Sequence, residues 1–217
     1  MDIVVIGPGA VGSLLAGLLR IEGHDISIVG RGGVLADRPL RIVLPSGWET
    51  ASGFTAPAPP DPDLAMVALG RHHLAGIRRG GLAVPPGTGH TVFWNVDPAQ
   101  PGRLGFADDR WSPGVTILSA VRLQEGEVTL AGERPVLVVE RRSGAAAALC
   151  GLRRRGFTVS EVEDAVPYLD ALFVQRLLEL PAAMCAGTIP WFLSFPEGRA
   201  LAADVLSEGL KTMDRAG

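Results

Sequence analysis

The sequence predicts an α/β protein: a parallel-sheet domain over residues 1–165, then a short helical region over residues 166–217. Three observations carry this. Ile3–Ile6 is an apolar, largely β-branched run closed by Gly7, the signature of a strand buried on both faces. Val11–Arg20 then places Leu14, Leu15, Leu18 and Leu19 at helical spacing, and Gly23-His24 closes that helix. From about Pro167 the strand-length apolar runs give way to helical periodicity.

The elements follow in order. Asp25–Val29 is a second buried strand, so strand, glycine turn, helix and strand form a βαβ unit within the first 30 residues. Arg41–Leu44 and Trp48–Phe54 read as strands or a hairpin, and the proline-dense Ala56–Pro62 as a rigid extended loop. Asp63–Leu69 is an apolar strand ended by Gly70, and His72–Arg79 a candidate helix. Thr91–Trp94 is a strand leading to Asn95. Val115–Arg122, Glu127–Leu130 and Val136–Glu140 read as three strands, with Gly126 and Gly132 in the turns. Ala145–Arg155 is helical and Thr158–Val162 a last short strand. Beyond the boundary, Tyr168–Met184 is a helix that Pro181 should kink, Thr188–Pro196 a break, and Gly198–Met213 a final amphipathic helix.

Composition narrows the function. The chain has 217 residues, 47% of them hydrophobic, enough for a substantial core. A net charge of −3 offers no basic face for nucleic acid or an anionic membrane. No apolar run is long enough to span a bilayer. Met1 leads straight into a strand, with no signal-peptide pattern, so a cytoplasmic protein is expected. Cys150 and Cys185 lie in apolar stretches and are expected to be buried thiols; two cysteines make neither a disulfide framework nor a zinc site. Lys211 is the only lysine, so lysine acid or Schiff-base chemistry has no candidate in the body of the chain.

Gly7-Pro8-Gly9-Ala10-Val11-Gly12 fits G-x-G-x-x-G in the right context, after a strand and opening a helix. Gly7 permits the tight turn, Gly9 lets the backbone approach a pyrophosphate, and Gly12 lets the helix pack close to the strand. Free amides and the positive helix end then hold the phosphates. This is a Rossmann-type dinucleotide-binding domain. At the end of the second strand, where NAD binders place an acid for the ribose 2′-OH, stands Gly30-Arg31. A guanidinium pairs with a 2′-phosphate, so Arg31 predicts NADPH. Gly32 and Gly33 leave room for the adenosine.

Residues 1–31 resemble the start of ketopantoate reductases. The likeness continues through DLAMVAL at 63–69, FWNV at 93–96, TILSAVRLQEGEVTL at 116–130, GLRRRGFTVSEVEDA at 151–165 and RLLELPAAMCAGTI at 176–189. The family reduces a 2-oxo acid to a 2-hydroxy acid with NADPH. The resemblance implies a Rossmann-type domain, a helical C-terminal domain and an active site in the cleft between them. It assigns Gly7, Pro8, Gly9, Ala10, Val11 and Gly12 to the pyrophosphate, Arg31 to the 2′-phosphate, Asn95 to the nicotinamide ribose, and Leu69 and Gly70 to the strand end that lines the cofactor.

The departures are specific. The family's proton-donor lysine aligns with Arg176, or with Gln175 if the register slips by one. Arginine keeps its proton at ordinary pH, so it binds anions or an oxyanion but is a poor acid. A second family lysine is replaced by Gly70 or Arg71, and family asparagines align with Leu180 and Met184. The family also continues beyond the position of Gly217 with helices that carry a substrate-binding acid, so a shortened C-terminal region is expected.

Candidate catalytic groups are therefore Arg176 as an anion or carbonyl anchor, Glu179, and Asn95, with Tyr168, Asp170, His72 and His73 as further proton carriers. Trp94 and Trp191 fit a core, an interface or the wall of a substrate pocket, and the Leu177, Leu178, Leu180 and Met184 stripe fits core packing. Phe173, Leu177, Trp191, Phe192 and Phe195 are many large apolar groups for so short a region and predict a homodimer through the C-terminal helices. Two functions compete. One is an NADPH-dependent reductase of the ketopantoate reductase type acting on a carbonyl or imine substrate less polar than ketopantoate. The other is an NADP(H)-binding protein that has lost hydride transfer and serves as a regulatory module or a non-redox isomerase or cyclase.

Overall fold

The computed structural model describes residues 1–30, 33–34, 38–70, 84–106, 109–124, 126–185 and 187–216. They fall into two compact units, Met1–Val166 and Pro167–Gly217.

The first unit is built on one mixed sheet of ten strands. β1 (Asp2–Ile6) lies between β2 (Asp25–Gly30) and β6 (Leu64–Val67), parallel to both. β7 (His90–Trp94) and the start of β8 (Trp111–Gln124) extend the parallel run. β8 then pairs antiparallel with the equally long β9 (Glu127–Glu140). The far side of β9 is shared: its first residues pair with β4 (Leu40–Leu44), its last with β10 (Thr158–Val162). β3 (Gly33–Val34) and β5 (Gly47–Ala51) are antiparallel edge strands.

The period-two alternation of β1 explains its unbroken apolar run. Ile3 and Val5 pack with Leu14, Leu15, Leu18 and Leu19 of α1 (Ala10–Ile21), while Val4 and Ile6 pack with Val67, Phe93 and Trp111 on the opposite face. All four leucines are fully buried, each contributing about 1.5–3 kcal/mol. Ala10–Ile21 is helical because one apolar face recurs every turn, and it stops where Glu22 and Gly23 (φ +91°) turn the chain back into β2. Smaller helices follow: α2 (Ala99–Arg103), a 3₁₀ turn at Arg141–Ser143, α3 (Ala145–Leu149) and a 3₁₀ stretch at Cys150–Arg155.

An ionic knot ties the end of α1 to this last stretch. Glu22 accepts from Arg154 at 2.6 Å and from Arg155 at 2.8 Å, and Arg155 also reaches Glu49 on β5. Burial opposes the charged carboxylate, but the two guanidinium groups together outweigh it and hold the Glu22 pKa below the ordinary range.

The second unit holds α4 (Val166–Met184, through Pro181), α5 (Ile189–Phe192) and α6 (Pro196–Ala216). Ala182, Phe192 and Ala202 form its small core, with Leu178, Ile189 and Leu193 against it. Thr188 caps α5 by accepting the Trp191 amide at 3.3 Å.

Several expectations change. The three strands expected between 115 and 140 are two long ones. Gly132, with φ +98°, is not a hairpin turn but part of an irregularity inside β9, where the ladder passes from Ser119↔Ala131 to Ile117↔Val136. Cys150 and Cys185 are exposed, not buried, because each follows the end of a helix on its outer side. The leucine stripe is only partly core: Leu177 and Leu178 are half-buried and Met184 is exposed. The expected helix at 72–79 lies outside the described residues.

His90, at the start of β7, is buried with its Nε2 3.1 Å from Ser112 Oγ. Burial, then the nearby Arg142 charge, push its pKa down, against smaller opposing effects of Glu140 and Asp109. The unfolded chain therefore takes up this proton more readily than the folded one, so the stability contribution is complete above the free-histidine value of about 6.5 and is lost as pH falls below it. Urea unfolding should show declining stability from pH 7 towards pH 5, and His90→Gln should flatten that decline; an equal slope in the variant would remove His90 as its cause.

Candidate functional site

β1 is the topological switch point: the chain leaves it for β2 on one side and returns to β6 on the other. In open α/β sheets the ligand crevice lies outside the strand ends at that place. Here the crevice edge is made by Gly7 after β1 and by Ala68, Leu69 and Gly70 after β6. Gly7 donates to the Val29 carbonyl at 3.0 Å and Ala68 to the Ile6 carbonyl at 2.8 Å, so the turn is sewn to both neighbouring strands.

The three glycines of the turn are required for different reasons. Gly7 has φ +99°, and a Cβ there would lie 2.6 Å from the Ala68 carbonyl oxygen and 2.7 Å from Leu69 Cδ2. A Cβ on Gly12 would land on the Gly7 carbonyl oxygen. Gly9 differs: its backbone is extended (φ −72°), which any residue adopts, and a Cβ there would meet nothing within 4 Å. No neighbour in the fold demands a glycine at position 9; only something that occupies the open space would.

Chemically the turn suits an anion. Gly9 is the N-cap of α1 and has no side chain to cap it, and the first turn carries no acid. The positive end of the helix and its first amides are left open, the arrangement that receives phosphate. Pro8 presents its carbonyl to two donors, Ser13 Oγ at 3.2 Å and Arg122 Nη1 at 2.6 Å. Arg122, on β8, is absent from the candidates drawn from sequence. It lies 114 residues from Pro8, and no local pattern marks it.

Asn95 follows β7, two strands from Gly7 along the same sheet edge, about 10 Å at ordinary strand spacing. Its φ of +55° is a left-handed conformation that asparagine tolerates. Its side chain is engaged: Nδ2 donates to Thr116 Oγ1 at 2.6 Å and to the Thr116 carbonyl at 3.3 Å, and Oδ1 accepts the Thr116 amide at 2.7 Å. Asn95 thus clamps the end of β7 to β8 and keeps one Oδ1 lone pair for another donor. Trp94 is a core residue, 3% exposed, in the cluster beneath α1, and its Nε1 has no partner among the described residues.

Arg176 and Glu179 lie on α4 in the second unit, three residues apart on neighbouring helix positions. Both are exposed, and neither has an ion pair or hydrogen bond to another side chain among the described residues. Tyr168 and Asp170 are exposed on the same helix, and Trp191 is exposed beside Phe195, ring centroids 4.9 Å apart. Arg31 follows Gly30, the last residue of β2, and lies outside the described residues, as do Arg71, His72 and His73. No group of His, Cys, Asp and Glu among the described residues forms a metal site, and no described helix is long and apolar enough to cross a membrane.

The parallel strands, the switch point and the glycine turn define a Rossmann-type domain. Residues 3–143 match the family model described as Ketopantoate reductase PanE/ApbA, and the chain belongs to that family. Among solved structures it is similar to the 2-dehydropantoate 2-reductase from Geobacter metallireducens GS-15, with 21% identity, a TM-score of 0.76, and 97% of this chain and 74% of that one covered. The 2-dehydropantoate 2-reductase from Methylococcus capsulatus has 18% identity and a TM-score of 0.65, with coverage of 98% and 79%. A dimeric ketopantoate reductase from Staphylococcus aureus has 15% identity and a TM-score of 0.68, with coverage of 100% and 81%. At these identities the likeness is one of fold. Among curated proteins, none is similar enough in sequence to match.

Replacing the turn glycines one at a time separates fold from ligand. Gly12→Ala should destabilise the protein by about 1–3 kcal/mol, the usual cost of overpacking. Gly9→Ala should leave the unfolding midpoint unchanged. Denaturant unfolding of both variants checks this, and a loss at position 9 matching that at 12 would contradict it.

Proposed function

We propose that this protein binds NADPH and uses it to reduce a carbonyl or imine substrate less polar than ketopantoate. The observation that carries the reading is Gly9: its backbone needs no glycine and no protein atom fills its Cβ space, which leaves a diphosphate pressed against the turn as the reason for its bareness. Family membership supports the cofactor class. Arg31, directly after β2, is assigned the 2′-phosphate, and Leu69 and Gly70 the wall beside the cofactor. Asn95, fixed by Thr116, is assigned a ribose hydroxyl through its remaining Oδ1 lone pair.

Bound NADPH supplies the hydride. The chain has to anchor the substrate, stabilise negative charge growing on the carbonyl oxygen or imine nitrogen, and deliver a proton there. Arg176 is assigned the first two tasks, since a guanidinium holds an anion or oxyanion without losing its proton. The proton comes from Glu179 or from water. Leu180 and Met184, where the family resemblance places asparagines, support a less polar substrate.

A second reading keeps the cofactor and drops hydride transfer. The specific observation in its favour is that Lys211 is the only lysine, so the family's proton donor has no lysine at its position.

NADPH fluorescence titration, with absorbance assays on a panel of 2-oxo acids, bulkier ketones and imines, separates the two. The reductase reading expects turnover on at least one substrate; tight NADPH binding with no turnover on any supports the second. Arg31→Ala should weaken NADPH about tenfold or more while barely changing NADH, as loss of a charge-assisted phosphate contact requires. Gly9→Ala should weaken both dinucleotides alike. Equal losses for both cofactors in the arginine variant would remove the 2′-phosphate assignment.

The reading includes a homodimer through the second unit, which exposes Phe173, Met184, Trp191, Phe195, Leu201 and Leu210. The Staphylococcus aureus protein of the same fold is dimeric. Light scattering at micromolar concentration should give twice the chain mass, and Trp191→Ser should shift it towards the monomer. A monomeric wild type would overturn the dimer.

A further inference from the structure

Arg122 is brought to the glycine turn by the length of β8. Only Trp111–Gly114 pair with β7; the strand then runs on past the sheet's carboxyl edge towards the start of α1. Arg122 lies where the ladder with β9 is irregular, between the pairs Val121↔Thr129 and Gln124↔Glu127. Such irregularities re-aim side chains, and they cluster beside functional sites. The outcome here is a guanidinium whose Nη1 sits 2.6 Å from the carbonyl oxygen of Pro8, the second residue of the turn.

That contact has an electrostatic meaning. An uncovered carbonyl oxygen in the turn is a fixed partial negative charge beside the place assigned to the diphosphate. Covering it with a guanidinium replaces that charge with a positive one. Arg20, Arg41, Arg141, Arg154 and Arg155 are each paired with a carboxylate. Arg122 forms no ion pair among the described residues, and four of its five N–H donors remain after the bond to Pro8. Among the described residues, therefore, no carboxylate cancels its charge.

We propose that Arg122 is a positioning residue of the cofactor site, which locks the Pro8 carbonyl and lends its positive charge to the dinucleotide diphosphate. The proposal rests on the reading of the turn as a diphosphate cradle. It differs from the role assigned to Arg31, because the diphosphate is common to NADPH and NADH.

The test titrates wild type, Arg122→Met and Arg122→Lys with NADPH and with NADH over a range of salt concentrations, alongside thermal melts. Arg122→Met should weaken both dinucleotides by a similar factor, roughly tenfold to a hundredfold for a lost hydrogen bond to a charged group. Its affinity should also fall less steeply with salt, because one screened attraction is gone. Arg122→Lys should restore the salt dependence and part of the affinity. Wild-type affinity in Arg122→Met would overturn the proposal. So would weakened binding with unchanged salt dependence, which would reduce Arg122 to holding the turn in shape. A wild type that binds neither dinucleotide overturns the cofactor reading and this proposal together, whereas a wild type that binds, beside an unaffected Arg122→Met, overturns this one alone. Should the methionine variant fail to fold, Arg122→Gln decides: a reduced salt dependence with weakened binding supports the charge and a wild-type salt dependence refutes it.

Discussion

The first unit depends on one close approach of backbone to backbone. Gly12 sits against the Gly7 carbonyl, and Gly7 against the Ala68 carbonyl, so the start of α1, the end of β1 and the end of β6 meet backbone to backbone, with the Ala68 and Leu69 side chains packed beside the contact. This contact sets the height of α1 over the sheet. From there Leu14, Leu15, Leu18 and Leu19 fall into register above Ile3 and Val5. A Cβ inserted at either glycine would lift the helix or spread the strands, and the loss would spread through a close-packed interior. The same closeness opens the crevice edge, because a turn pulled tightly into the sheet leaves the first helical amides facing outward.

Around that edge the unit is fixed by polar contacts, one local and the others reaching across the chain. Asn95 clamps Thr116 with three hydrogen bonds, and Pro8 is held by Ser13 and by Arg122. Hydrogen bonds to charged groups contribute more than neutral ones, about 1.5–3 kcal/mol against about 1. Arg122 therefore counts among the stronger tethers of the turn. Glu22, with Arg154 and Arg155, secures the other end of α1. The helix is fastened at both ends, which suits the proposal that its first turn receives a charged ligand.

Much of this was legible in the sequence. Ile3–Ile6, the glycine turn and the leucines of α1 follow local rules of period and turn chemistry, and the structure places strand, turn and helix within a residue or two of where those rules put them. Thr158–Val162 was legible for the same reason. Failures came where a long-range partner overrides a local signal. Gly132 reads as a turn, but β8 is long enough to keep β9 paired on both sides of it, so the glycine is absorbed as an irregularity. Apolar neighbours suggested buried cysteines, yet burial depends on which side of a helix end faces the core, and for Cys150 and Cys185 that side faces out. Arg122 could not be found at all: its partner is 114 residues away, and only the folded sheet brings them together.

The two units stand differently towards chemistry. In the first, the described polar groups of the candidate site have fixed geometry: Asn95 is held by Thr116, and the Pro8 carbonyl by Ser13 and Arg122. Electrostatic preorganisation of this kind lets dipoles stabilise charge without reorganising as it develops. In the second, Arg176 and Glu179 are exposed on α4 with no side-chain partner among the described residues, whose core there is Ala182, Phe192 and Ala202 with a few neighbours. A long exposed side chain with no partner loses about 2 kcal/mol of rotamer entropy when a ligand immobilises it. The proposed binding site is thus built into the sheet. Under the proposed function, orientation of a substrate and delivery of a proton would draw on whatever order the helical unit gains in the proposed dimer. Under the same proposal, covering the exposed Phe173, Trp191 and Phe195 in a dimer is the available means of stiffening the helix that carries Arg176.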